Sequence, residues 1–232
     1  MKLIIAALQM ISTRDVIENL NKASKMIAEA AGNGAQVVVL PEFFAKITTS
    51  DDPYRTNHAE DFGSGVIQSY LKDIAVLHGI HIIAGSVLLN SSTANKFYNS
   101  CLVVSPDGAI IAHYDKIHLF KFNDGFQHYD ESEILLAGDK IVSCDILGFN
   151  FGLAICYDLR FPELFRTLGL VDIIVLPSAF TYQTGLAHWE LLIRARAVEN
   201  QCYFLGVNQG GAHDTGRRTY GHSMLVDPWG EV

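Results

Sequence analysis

Long apolar runs are missing from this 232-residue chain; none approaches the roughly 18 residues that a membrane span needs. Positive charge is scarce. Lys and Arg number 17 against 25 Asp and Glu, and the net charge of −8 argues against a nucleic-acid-binding surface. A small substrate is not excluded, because it sees only local charge. Cysteine is sparse too. Cys101, Cys144, Cys156 and Cys202 are widely spaced and contain no C-x-x-C pair. That usage excludes a disulfide framework or a zinc site and fits a reducing cytoplasm. The nine histidines show no H-E-x-x-H or other ligand spacing, so neither a metal nor a cofactor is implied. Residues 1–10 are apolar, but Lys2 is their only positive residue and no small-residue cleavage site follows, so no signal peptide is expected. Linkers, repeats and low-complexity tracts are absent, and one domain over residues 1–232 is expected.

What is present is an ordinary core-forming composition, 49% hydrophobic and 18% charged. One stretch organises the rest. The apolar run 149–155 ends on Cys156, polar residues follow at once, and Pro162 suits the first turn of a helix. The pattern reads as strand, sharp turn, helix. Strand-like runs also cover 3–8, 36–40, 81–88, 96–104, 109–114, 141–146, 172–176, 202–207 and 220–226. Helical spacing marks 16–30, with Thr13 as its cap, and also 66–78, 163–170 and 185–200. Residues 48–65 read as a loop, and 115–133 is long, polar and aromatic without periodicity. Mixed βαβ units and hairpins predict an α+β fold with a mixed sheet, or two sheets, covered by helices.

Three strands end in a chemically capable residue. Glu42 follows residues 37–40, Lys116 follows 110–114, and Cys156 follows 149–155. Open α/β sheets gather ligands at such ends. Each residue has an ordinary alternative. Glu42 could cap a helix starting at Phe43, Lys116 could be a solvated loop lysine, and Cys156 could be a buried structural thiol. Together they make a chemical set. A thiol needs a base or a positive field to become nucleophilic. Glu42 offers the base. Lys116 and the backbone N–H of Tyr157 offer oxyanion stabilisation. That combination suits acyl transfer from an amide.

The blocks Leu40-Pro41-Glu42-Phe43-Phe44, Tyr114-Asp115-Lys116-Ile117-His118-Leu119-Phe120 and Cys156-Tyr157-Asp158-Leu159-Arg160-Phe161-Pro162-Glu163 resemble those of the nitrilase superfamily of carbon–nitrogen hydrolases. The resemblance covers nearly the whole chain. It implies a four-layer α-β-β-α sandwich with two mixed sheets and a catalytic triad of Glu42, Lys116 and Cys156. It also implies a second glutamate, Glu131, with Glu133 the less favoured choice. The implied chemistry is a Cys156 thioester, formed as Glu42 takes the thiol proton and ammonia leaves, then hydrolysed by a water that Glu42 activates.

Later blocks, Pro177-Ser178-Ala179-Phe180, Thr184-Gly185-Leu186-Ala187-His188-Trp189-Glu190 and Tyr220-Gly221-His222-Ser223-Met224, resemble the branch holding deaminated-glutathione amidases and ω-amidases, the former slightly more. Both imply a small amide substrate bearing a carboxylate. Tyr157, Thr181, Tyr182 and His188 are the pocket candidates. The resemblance further implies a homodimer or higher homo-oligomer, and no nucleic-acid or membrane partner. Family members usually continue past the position of Val232 with another strand and a C-terminal helix. Competing readings are a Cys–His hydrolase using His118, His188 or His222, the same triad acting on nitriles or N-carbamoyl amino acids, and a catalytically silent scaffold. Trp189 and Cys202 are expected in the core, and Glu190 with Arg194 as a surface pair.

Overall fold

The computed structural model describes residues 2–123 and 128–232. In chain order the elements begin with β1 (Ile5–Ala7), α1 (Val16–Gly32), β2 (Val37–Leu40), α2 (Val66–His78), β3 (His81–Asn90), β4 (Phe97–Val104) and β5 (Ile110–Asp115). They continue with β6 (Lys121–Asn123), β7 (His128–Asp130), β8 (Ser143–Ile146), β9 (Phe149–Leu153), α3 (Pro162–Thr167) and β10 (Ile173–Ser178). The chain closes with α4 (Tyr182–Asn200), β11 (Tyr203–Asn208), β12 (Gly210–Ala212), β13 (Arg218–Tyr220) and β14 (Met224–Val226).

Two five-stranded sheets carry the molecule, in the orders β1-β2-β3-β4-β5 and β14-β11-β10-β9-β8. Each is parallel at its heart: β1, β2 and β3 in the first, β9, β10 and β11 in the second. Antiparallel strands complete both sheets. Such mixed sheets are covered on both faces, which explains why β2 reads Val-Val-Val-Leu with no alternation and is wholly buried. Val37, Val39, Ile83 and Val103 of the first sheet share a core with Phe151, Leu153 and Val175 of the second. The opposite face of the first sheet, with Val38, Leu40 and Ile82, packs on Leu20, Ala23 and Ile27 of α1 and Leu71 and Ala75 of α2. Trp189, Ile193 and Ala197 of α4 cover the second sheet. The layers therefore run α-β-β-α.

Two local expectations are corrected, and one ordinary alternative falls. Asp15, not Thr13, caps α1, its carboxylate accepting the Glu18 N–H at 2.9 Å. Thr13 instead accepts no cap bond; its hydroxyl donates to Glu18. Glu42 caps no helix. Phe43 takes a left-handed φ of 58°, and the chain turns away. Residues 220–226 are not one strand: Tyr220 ends a β12–β13 hairpin, and β14 starts at Met224. Short polar hairpins carry little periodicity, so pattern reading passes over them.

Candidate active site

β5 runs in the same direction as β2, because two antiparallel steps separate β3 from β5. Glu42 and Lys116, each just past a strand's C-terminal end, therefore emerge on one sheet edge. A β-bulge between Ala84 and Val87 makes room there. Gly85 lies in it with φ +26°, and a Cβ at that position would stand 1.9 Å from the Pro41 carbonyl oxygen. Ser86 Oγ accepts the Phe43 N–H at 3.0 Å, holding the turn that aims Glu42 inward.

Glu42 is 1% exposed, yet its carboxylate is fully engaged. Oε1 accepts from Lys116 Nζ and from Asn99 Nδ2, each at 2.9 Å. Oε2 accepts the Ala179 N–H at 2.9 Å. Lys116, also 1% exposed, reaches Glu131 as well, at 3.0 Å to Oε1 and 2.9 Å to Oε2. Glu131 is oriented in turn by the Phe120 N–H, 2.7 Å from Oε2. Burial works against the Lys116 charge, but Glu131 and Glu42 outweigh it and hold the ammonium well above its usual pKa. Burial pushes the Glu131 carboxyl up, as does the Glu42 charge, while Lys116 opposes both.

The second sheet supplies the thiol. β9 ends at Leu153, and Cys156 opens a 3-10 turn to Arg160 with a left-handed φ of 48°. A non-glycine residue held there costs about 1–3 kcal/mol, so the surroundings must over-determine it. Asp158 does so. Its Oδ2 accepts the Ile155 N–H at 2.8 Å and the Tyr114 hydroxyl at 2.7 Å. Its Oδ1 accepts the His118 N–H at 3.0 Å and faces His118 Nδ1 at 2.8 Å. This carboxylate thereby ties the loop after Lys116 to the turn bearing Cys156. Pro162 then opens α3 at its first helical position.

Cys156 is 8% exposed and lines a cavity with Glu42, Glu131, Tyr157 and Ala179. Burial raises its thiol pKa well above the usual value, and the Glu42 charge adds to the rise; Lys116 and the Ala179 N–H pull the other way. The resting sulfur is protonated at neutral pH. A base must therefore remove that proton as the sulfur attacks, and a buried carboxylate lines the same cavity.

The carbon-nitrogen hydrolase family profile matches residues 4–232. The chain belongs to the carbon-nitrogen hydrolase family. This hydrolase is similar to a deaminated glutathione amidase of Synechocystis sp., at 39% identity over 98% of the chain and 85% of that relative. It is 40% identical to an omega-amidase of Xenopus laevis over 93% of the chain and 77% of the relative. Its fold matches that of a solved branch-10 member of the nitrilase superfamily from Saccharomyces cerevisiae, with a TM-score of 0.88 and 30% identity over 99% of this chain and 83% of that one. The four-layer sandwich expected from the sequence is the fold of these neighbours.

The hydrolase brings Glu42, Lys116, Glu131 and Cys156 together, although Glu131 and Cys156 lie on different sheets' loops. Glu133 points elsewhere, half-exposed, with Oε2 3.5 Å from Arg55 Nη2. Tyr157 and Thr181 line the Cys156 cavity. Tyr182 and His188 do not. Tyr182 stacks under Arg218, whose Cζ lies 3.7 Å from its ring centre. His188 Nδ1 meets Arg160 Nη2 at 3.2 Å on the outer side of α4. Among the described residues, no histidine lines the cavity beside Cys156. His118 is committed to Asp158, and His222 stacks on Tyr220. Trp189 is in the core, its Nε1 donating to the His222 carbonyl at 2.7 Å. Cys202 is buried, and Glu190 and Arg194 form an exposed pair at 3.6 Å.

Sequence reading did not single out Phe120, Arg160, Ala179 or Arg217 as lining residues. The adjacent pair Arg217-Arg218 is visible in the sequence, but nothing local says which arginine faces inward.

Beyond Phe43, Phe120, Glu131 and Arg217, which both spaces share, a second chamber opens. His58 lines it, its Nδ1 buried without a hydrogen-bond partner. Burial, helped by the nearby Lys46 charge, pushes its pKa from 6.5 down to about 4. The unfolded imidazole takes up a proton below pH 6.5, the folded one only near pH 4. Stability from the neutral ring is complete above pH 6.5 and lost as pH falls toward 4, by about 3 kcal/mol in all. His58→Leu should flatten this slope. Urea midpoints at pH 7 and pH 4.5 check it; an unchanged difference between variant and wild type would contradict the assignment.

Proposed function

We propose that this protein hydrolyses a terminal or substituted amide of a small carboxylate-bearing substrate through a thioester on Cys156. One observation carries the reading: a buried thiol and a buried carboxylate line one cavity, and the buried Lys116 ammonium stands 2.9 Å from that carboxylate. Glu42 takes the Cys156 proton as sulfur bonds to the carbonyl carbon. Lys116 and the Tyr157 N–H steady the oxyanion. The C–N bond breaks, the amine or ammonia leaves with the proton from Glu42, and a thioester remains. Glu42 next deprotonates a water that attacks the thioester; the acid departs and the thiol is restored. Glu131 keeps Lys116 placed throughout, since it is the ammonium's other carboxylate.

The relatives named deaminated glutathione amidase and omega-amidase support an amide over a nitrile. We take deaminated glutathione as the first candidate and α-ketoglutaramate as the alternative. A Cys–His mechanism finds no support, because the histidines at issue are engaged away from the cavity. Amine or ammonia release should be measured against deaminated glutathione, α-ketoglutaramate, an N-carbamoyl amino acid and a simple nitrile. Intact-mass spectrometry should detect an acyl adduct on Cys156. No release and no adduct with either amide would sink the proposal and favour a silent scaffold.

A further inference from the structure

The outer chamber holds more positive charge than its own acids neutralise. Lys46 is 7% exposed, and its Nζ donates only to neutral oxygens, the Tyr54 carbonyl at 2.9 Å and Asn57 Oδ1 at 2.7 Å. Arg217 likewise donates to the Thr48 carbonyl at 2.9 Å and lies over the Tyr129 ring. Among the described residues neither cation has a carboxylate within ion-pair distance. Arg55 faces the half-exposed Glu133 at the long separation of 3.5 Å. The acids that line the chamber are committed elsewhere: Asp130 to Lys121 at 2.7 Å, and Glu131 to Lys116. A buried, unpaired lysine is costly to keep charged. A chamber that retains one, beside two arginines, is built for an anion.

The position of the chamber gives the anion a role. Arg217 belongs to both spaces, whereas Lys46 and Arg55 line only the outer one. A short amide seated at Cys156 meets Arg160 and Arg217 at most. An arm that reaches Lys46 and Arg55 must pass Phe43 and Phe120.

Resting on the amide reading of Cys156, we propose that the outer chamber is the subsite for an extended substrate arm ending in a carboxylate, held by Lys46, Arg55 and Arg217. The arm can hang from the acyl side or from the nitrogen side of the scissile amide; the recognition chemistry is the same.

Binding to the Cys156→Ala protein reads this subsite without turnover. The acyl-side probe is succinamoyl-glycylglycine and the nitrogen-side probe is N-succinyl-glycylglycine, each compared by calorimetry with the methyl ester of its glycine carboxylate. In one series the acid should bind at least about tenfold tighter than the ester. Adding Lys46→Met or Arg55→Gln should each shrink that ratio to about threefold or less. Because Lys46 also braces residues 54 and 57, the acid-to-ester ratio is the readout: a merely structural role weakens both ligands alike. Equal affinities of acid and ester in both series, or variants that weaken both equally, overturn the proposal. Turnover of succinamic acid and of the two acids by the unmodified protein is scored separately. If none is hydrolysed while the binding preference stands, the amide reading falls and the anion subsite survives.

Discussion

Glu42→Gln is expected to lower amide turnover by about 10²–10⁴-fold, the range for loss of a positioned general base. The amide side chain matches the carboxylate in shape but cannot take a proton from Cys156. One of its two ends is also an NH2 group. Whichever way it turns, that NH2 meets either the Ala179 N–H or the Lys116 ammonium, where two acceptor oxygens now stand. The thiol gives a second readout with a definite sign. The Glu42 charge helps raise the Cys156 pKa, so removing it should move that pKa down. Alkylation by iodoacetamide, followed against pH, should titrate at lower pH in the variant even as hydrolysis collapses. A variant that keeps more than about a tenth of wild-type turnover would contradict Glu42 as the base and reopen the search for another.

The largest effect on stability should come from Asp158→Ala. This fully buried carboxylate accepts four hydrogen bonds, two of them from the fully buried Tyr114 hydroxyl and the buried Ile155 N–H. Each buried donor left without an acceptor costs about 1–3 kcal/mol, so a loss of about 3–5 kcal/mol is expected. For a chain of this size that lowers Tm by roughly 10 °C. Tyr114→Phe removes a single donor and leaves Asp158 with three, so it should cost only about 1–2 kcal/mol. Thermal melts of both variants test the ordering. A Tyr114→Phe protein as unstable as Asp158→Ala would show that the Tyr114 hydroxyl, which also accepts the Ile117 N–H, holds the turn, rather than the other bonds to the carboxylate. Turnover should fall with Asp158 too, because the turn bearing Cys156 loses its tie to the loop after Lys116.

Much of this architecture is legible in the residues. α2 occupies the very span its periodicity predicts, since its apolar face is regular and Gly79 stops it in a left-handed conformation. β2 is legible because four consecutive apolar residues can only be covered on both faces. α4 begins at Tyr182, three residues earlier than the spacing indicates. Its first turn is set by Thr181, whose side chain accepts the Thr184 N–H, rather than by apolar period. The stretch 115–133 is the least legible. Its described part is the end of β5, an irregular loop over 116–120, two three-residue strands and one 3-10 turn, all too short to repeat any pattern. Its remaining residues, 124–127, lie outside the described structure.

By itself the sequence determined most of the elements, a mixed sheet or two sheets covered by helices, and the identity of the reactive types at three strand ends, because periodicity and strand termini are local properties of a chain; the four-layer order was implied by the family resemblance. Only the tertiary structure decided which polar groups face one another. Glu42 lies 74 positions from Lys116 and 137 from Ala179; the first bond exists only once the first sheet is assembled, the second only once the two sheets pack. The same packing buries Lys46 with no carboxylate in ion-pair distance among the described residues, aims Arg217 inward, and sends Tyr182 and His188 away from Cys156. Burial and field at a point are sums over elements distant in sequence, so charge pairing, thiol pKa and chamber shape have no local signature to read.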